Sequence, residues 1–509
     1  MKTLSASFLA IAISLSCLCS PEIAAGSSPP PEVRGTWVTT TANDAISTPE
    51  KTAATMKRLR EIGLNTVYVE CWKNGYTQFP SKVLEKTIGV DRRPNLMPQD
   101  PSETPEATRR PARDLLQETL VEAHRNGLVY IAWFEYGFMA AHKSTDNHLR
   151  RMKPDWLSRD QSGNEVAPNG FVWMNPLHPE TRKFLLDLVL EAVDRYDLDG
   201  IQLDDRIVWP YVTMGYDDYT KKIYAQEHGG KQPPTDYKDP AWMRWRADKV
   251  NEYARIFVAE VRKARPGLLV SLSPAVYPWC YDYYLLEWPK WAAWNEPIST
   301  STPESLTARW DEFVPQVYRM NYAAFETTWL DQVEHMKKLG GGRTADLIAG
   351  IRVVGDGPDS TWEDLRRSMD LARSTGGGGH VHWFSRGVLD LFPEQLTEFY
   401  NAATVGQAPH PKFGADWRPP PVPLKRGAER NGRIEWSFSE VPAGRYQLFA
   451  RSNGVWTLVP REHNDPANPQ AIDPTVSGTE LLPPEVDAAE FHLDRRPEMS
   501  TRQLNTPAK

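Results

Sequence analysis

Eight short apolar segments alternating with helical patterns constrain this chain more than any other feature. The segments are 33–38, 65–70, 129–135, 200–204, 268–273, 313–318, 347–353 and 380–384. β-Branched and aromatic residues fill them, as in strands buried on both faces. Helical patterns occupy 49–62, 112–126, 179–196, 242–264, 327–339, 360–374 and 393–403. Parallel βα units repeated over this length predict an α/β fold, a closed (β/α)8 TIM-type barrel. An open doubly wound sheet would call for a Gly-rich phosphate turn after the first strand, and Arg34-Gly35-Thr36-Trp37 does not supply one. The run Gly376-Gly377-Gly378-Gly379 precedes a strand and reads as a helix-ending turn.

The chain has 509 residues, enough for one large domain and an appendage. The barrel is expected over 32–405. A small C-terminal β module is expected over 415–460, where 434–438 and 446–450 read as a hairpin about Pro442-Ala443-Gly444. Beyond 461 the sequence is polar and Pro-rich, which predicts a disordered tail to 509. Residues 1–25 have the pattern of a signal peptide cut after Ala25. That places the mature chain outside the cytoplasm, secreted or in the periplasm and cell envelope, with lipid attachment at Cys17 or Cys19 as the alternative. No other apolar run is long enough for a transmembrane segment. A net charge of −7 with mixed signs argues against a nucleic-acid partner. Cys71 and Cys280 would lie far apart around a barrel, so they read as two unpaired thiols and make no zinc site.

The loops at 72–110, 136–174 and 206–239 are long and would rise from one face, which locates a cleft there. Three strands deliver carboxylates to that rim. The second ends on Glu70, the third on Glu135, and the fourth on Asp204-Asp205-Arg206. Alternation turns Trp133 inward with Glu135, and Gln202 inward with Asp204. Adjacent strands lie about 4.8 Å apart, so the carboxylates could approach the roughly 5 Å separation of retaining glycosidases. Glu135 is the expected acid/base and Asp204 the nucleophile or charge stabiliser. Asp205 stands beside them, and Glu70 is an alternative acid or an acceptor for sugar hydroxyls. In the structural alternative, Asp204 or Asp205 pairs with Arg206 or Arg34 and only braces the rim.

Substrate contacts are expected from Arg34 and Trp37 on the first strand, and from Trp72 and Asn74 after the second. Trp133, Gln202 and Arg206 join them from the third and fourth, Gln316 and Tyr318 from the sixth, and His380, His382 and Trp383 from the eighth. Flat aromatic rings there would stack on sugars. No cofactor or metal is expected. A His380–His382 metal site shared with the Asp pair is the amidohydrolase-type alternative, although the first strand has no His. No Gly-x-Ser-x-Gly elbow supports a serine hydrolase.

At these residues the chain resembles the bacterial glycosyl-hydrolase-like family 10. The resemblance is carried by Glu32-Val33-Arg34-Gly35-Thr36-Trp37-Val38, Asn65-Thr66-Val67-Tyr68 and Ala132-Trp133-Phe134-Glu135. It continues through Asn175-Pro176, His178-Pro179, Asp199-Gly200-Ile201-Gln202-Leu203-Asp204-Asp205 and Val314-Pro315-Gln316-Val317-Tyr318. It implies a TIM-type barrel, export to the cell envelope and hydrolysis of a glycan, cell-wall polysaccharide being the expected class. It carries over to Asp204 and Asp205 first, and to Glu135 less directly. Two other readings compete: a carbohydrate-binding envelope protein without turnover, and a metal-dependent amide or ester hydrolase.

Overall fold

The computed structural model describes residues 29–97, 112–295, 307–415, 417–459, 470–472 and 477–496. The expected signal segment at 1–25 lies outside them. Eight parallel strands form the wall: β1 (Val33–Val38), β2 (Thr66–Glu70), β3 (Val129–Phe134), β4 (Gly200–Asp204), β5 (Leu269–Ser273), β6, β7 (Ala349–Arg352) and β8 (Gly379–Trp383). The sixth was expected to be continuous. Pro315 has no N–H to offer a neighbour, and β6 is split into Glu312–Phe313 and Gln316–Val317. The first piece pairs with β5 and the second with β7. Because β8 also pairs with β1, the sheet closes into a barrel.

The helices start where polar side chains cap them. Thr48 accepts a hydrogen bond from Lys51 N to begin α1 (Pro49–Ile62), and Gly63, at φ 110, ends it in the left-handed region. Asp114 opens α2 (Leu115–Arg125), later than the pattern predicted. Next come α3 (Pro179–Arg195), α4 (Pro240–Ala264) and the short α5 (Trp288–Ala292). Asn321 opens α6 (Tyr322–Leu339) earlier than predicted, by accepting from Ala324 N. Thr361 caps α7 (Trp362–Ser374), and α8 (Pro393–Tyr400) completes the ring. Among the described residues no helix is long and apolar enough to cross a membrane. Cys71 and Cys280 are both free and buried, as expected.

The C-terminal module reaches further than 460. Gly478–Leu482 and Ala488–Leu493 are strands, so this part of the expected tail is ordered. Nor do the two central strands form the expected hairpin. Arg433–Phe438 pairs with Lys425–Arg430 and Gly478–Leu482, whereas Gly444–Ser452 pairs with Val455–Leu458 and Ala488–Leu493. Both are amphipathic, and their apolar residues Trp436, Ile434, Tyr446 and Leu448 meet in one core between two sheets.

The segment leading into the module seals the barrel at the N-terminal ends of its strands. Arg418 Nη1 lies 2.7 Å from Asp197 Oδ2, and its Nη2 lies 3.2 Å from Asp199 Oδ1. Arg265 holds Asp197 at 2.8 Å and His124 holds Asp199 at 2.9 Å. All five side chains are buried. Burial opposes ionisation of Asp197, but Arg418 and Arg265 together hold its carboxyl well below the usual range.

Candidate active site

At the opposite end, Glu70 and Asp204, which end β2 and β4, and Glu135 and Asp205, which directly follow β3 and β4, bring four carboxyls around two cations. Lys73 Nζ sits 2.9 Å from Glu70 Oε2 and 2.9 Å from Glu135 Oε2. Arg206 Nη1 touches Asp204 Oδ2 and lies 3.5 Å from Glu135 Oε1, and its Nε is 3.6 Å from Asp205 Oδ1. Asp204 Oδ1 also accepts from Gln316 Nε2 and, at 2.8 Å, from Asp205 N. Glu70 accepts from Thr40 Oγ1 and, at 3.2 Å, from Thr40 N. Above Gln316, Tyr318 and Trp383 stack with centroids 5.4 Å apart, both half-buried at the mouth.

Four carboxyls, three buried and Asp205 half-buried, share only two positive charges, which disfavours ionising all of them at once. Burial raises Asp204 well above the usual carboxylate range, and the neighbouring Asp205 and Glu135 charges add to this while Arg206 opposes it. Burial likewise raises Asp205 and Glu70. Glu135 differs because it faces both cations. Burial works against its ionisation, yet Lys73 and Arg206 hold it below its ordinary value. Glu135 is thus shifted towards the anion and the other three carboxyls towards the protonated form, the asymmetry that acid/base chemistry requires.

Several expected contacts lie elsewhere. Arg34 stands at the start of β1, on the sealed end, with its Nε against Glu32 Oε1 at 2.5 Å. Trp37 and Gln202 do point inward, but a layer below the mouth. Trp37 Nε1 donates to Gln202 Oε1 at 2.8 Å, and Gln202 Nε2 donates to Ser271 Oγ at 2.9 Å. Ser271 Oγ in turn donates to Glu312 at 2.7 Å, whose carboxyl burial pushes up to about 7. Trp133 is buried between Trp37 and Trp383 and forms the floor. Trp72 is fully buried, donating to Gly137 O at 3.0 Å with its ring against Phe184. Asn74 holds a tight turn at φ 53 and accepts from His142 N at 3.3 Å.

His380 and His382 face away from the carboxyls. Their Nε2 atoms lie 2.7 and 2.8 Å from the single hydroxyl of Tyr400 on α8. This corrects the expectation that they touch substrate, and it removes them from any metal site with Asp204. The hydroxyl also lies 3.8 Å from Met369 Sδ, and burial keeps both rings neutral, His380 being held well below its ordinary value. Burial holds His382 down to about 3. The unfolded chain takes up that proton near 6.5, so the stabilisation is complete above pH 6.5 and drains as pH falls towards 3. His382→Gln is therefore expected to flatten the acid side of the stability curve. The gap between the variant and the parent should narrow by about 2 kcal/mol between neutral pH and about pH 5, in urea titrations.

Lys73 and Thr40 escaped the sequence reading. Trp72–Lys73 and Tyr76–Thr77 pair in a small hairpin that folds Lys73 back over Glu70. The only linear signal is the spacing Glu70-x-x-Lys73.

Carboxyls gathered at the open end of an eight-stranded parallel barrel are the layout of a glycoside-hydrolase-type protein. Residues 32–351 match the profile of the Glycosyl hydrolase-like 10 family, and the chain belongs to that family. It is 25% identical over 262 residues to glycosyl hydrolase YngK of Bacillus subtilis (strain 168), covering 48% of this chain and 45% of that one. It is 23% identical over 280 residues to glycosyl hydrolase DigH of Escherichia coli (strain K12), covering 49% and 58%. The chain thus spans about half the length of these curated relatives. The glycoside hydrolase domain of PgaB (BpsB) from Bordetella bronchiseptica shares the fold, with a TM-score of 0.52 at 14% identity over 72% of this chain and 98% of that one.

Proposed function

We propose that the chain is an exported glycoside hydrolase that cleaves a polysaccharide, with cell-wall glycan the substrate class. Export rests on the signal pattern at 1–25, and the substrate class on family membership. One observation carries the chemistry: Glu135 and Asp204, on neighbouring strands, share a single nitrogen of Arg206. That closeness favours the retaining separation of about 5–5.5 Å over the 6.5–9.5 Å of inverting enzymes. The electrostatics favour exchanging the roles first expected. Asp204 holds the proton and gives it to the glycosidic oxygen as the C–O bond breaks, while anionic Glu135 attacks the anomeric carbon. Water, deprotonated by Asp204, then cleaves the glycosyl–Glu135 ester and restores both groups. Tyr318 and Trp383 offer the stacking face, and Arg206 and Gln316 orient Asp204.

The test is release of reducing ends from peptide-free peptidoglycan strands and a panel of plant and microbial polysaccharides, with product masses read out. Cleavage by the parent and none by Glu135→Gln is expected. Glycan binding without new reducing ends would overturn hydrolysis and favour a binding protein.

A further inference from the structure

A cleft lies between the ends of β6 and β7 and the first turns of α6 and α7. Arg319, Asn321, Arg352, Ser360 and Asp364 give it a polar lining, and none of them belongs to the carboxyl centre. Asn321 caps α6 and Thr361 caps α7, so two helix N-termini, each with partial positive charge, border the cleft. Arg319 Nε donates to Thr328 Oγ1 at 3.0 Å and its Nη1 to Tyr318 O at 3.0 Å. Arg352 Nη2 donates to Asp356 O at 2.8 Å. These acceptors are all neutral, and among the described residues neither guanidinium has a carboxylate partner. Burial accordingly lowers Arg319 below its ordinary value. Arg352 is 5% exposed, yet its Nη1 has no hydrogen-bond partner. Leaving a buried charged donor unpaired costs free energy, and a bound ion is one way such a group is satisfied. Asp364 is the acid in the lining, but Tyr322 N donates to its Oδ1 at 3.0 Å and Thr361 Oγ1 to its Oδ2 at 2.8 Å. Asp364 thus serves the two helix starts and leaves the lining with a net positive charge.

We infer that this cleft is an oxyanion site, in which Arg352 and Arg319 hold a phosphate or carboxylate group. A guanidinium presents its N–H groups in a fork that matches two oxygens of such a group. Helix N-termini favour negative charge at the same place. The cleft adjoins the stacking pair at the mouth: Arg319 follows Tyr318, and Arg352 is in register with Trp383. A free phosphate and an anionic group carried by a glycan offer the same chemistry here, and the two sources are told apart by competition.

The experiment titrates the full-length protein with inorganic phosphate by calorimetry, beside Arg352→Met and Arg319→Gln. Saturable binding by the parent, weakened about tenfold or more in each variant, is expected. Urea unfolding checks that the variants are folded, and Arg319→Gln, at a half-buried residue, carries the test if Arg352→Met is not. A second arm follows reducing-end release from peptide-free peptidoglycan strands whose carboxyl groups are intact or reduced to alcohols. If the anion belongs to the glycan, phosphate inhibits cleavage of the intact strands, and the arginine variants raise KM for those strands alone. If the anion is free, phosphate binds through the same two arginines and inhibits neither substrate. Phosphate binding that survives in both variants would overturn the site. So would the absence of phosphate binding together with equal KM for intact and reduced strands. The hydrolase reading is decided separately, by whether the parent releases reducing ends at all.

Discussion

Asp204→Asn is expected to lower glycan cleavage by about 10²–10⁴-fold, the usual contribution of a positioned acid/base group. The substitution keeps the shape. The amide oxygen can still accept from Gln316 Nε2 and Asp205 N, as Asp204 Oδ1 does. The amide nitrogen replaces the oxygen that accepts from Arg206 Nη1, so that one hydrogen bond is lost. Arg206 remains fixed by Glu135 O at 2.9 Å and by the Glu135 carboxyl. Thermal stability should therefore change little while the proton donor disappears. The pH profile separates this from simple damage. The acid limb reports ionisation of Glu135, held low by Lys73 and Arg206, and should persist in residual activity. The alkaline limb reports loss of the raised Asp204 proton and should vanish. Activity within about tenfold of the parent, with both limbs intact, would remove Asp204 from the reaction.

The barrel was legible because each strand is a short apolar run and each helix carries its own period. The carboxylates were legible because such runs stop abruptly at charge, as in Gly200–Asp204 followed by Asp205. What the sequence withheld is phase and depth. The eighth strand is apolar on both faces, so alternation groups His380 with His382 and Trp383 with Val381 without saying which pair faces inward. Tyr400, far along the chain, decides it by taking both imidazoles. Depth misplaced Gln202 and Trp37: they share a face with Asp204 but sit a layer lower, bonded to each other. Arg34 is the second residue of its strand, and parallel strands put their first residues at the end away from the rim. The module misled for a related reason. Two amphipathic strands separated by a turn can pair by their edges or pack by their faces, and only the partner strands 425–430 and 488–493 settle it.

Arg418→Met is expected to cost about 3 kcal/mol of unfolding free energy at neutral pH, because it leaves two buried carboxylates short of positive charge. Methionine keeps much of the volume, so the loss is electrostatic. Asp197 retains Arg265 at 2.8 Å, but Asp199 is left with His124. His124 is held below its ordinary value by burial and then by the Arg418 charge, with Asp199 and Asp197 pulling the other way. Removing Arg418 deletes one lowering influence, so His124 in the variant accepts a proton more readily and replaces part of the missing charge. The folded-state value of His124 stands higher in the variant than in the parent, so on acidification the folded variant takes up this proton first. The deficit of Arg418→Met should therefore be largest at about pH 8, where His124 is neutral in both proteins, and shrink as pH falls, read as the difference in urea unfolding free energy between variant and parent. A deficit independent of pH would mean that His124 does not respond to the charge at the sealed end. A deficit below about 0.5 kcal/mol throughout would show that Arg418 does not clamp the barrel at all.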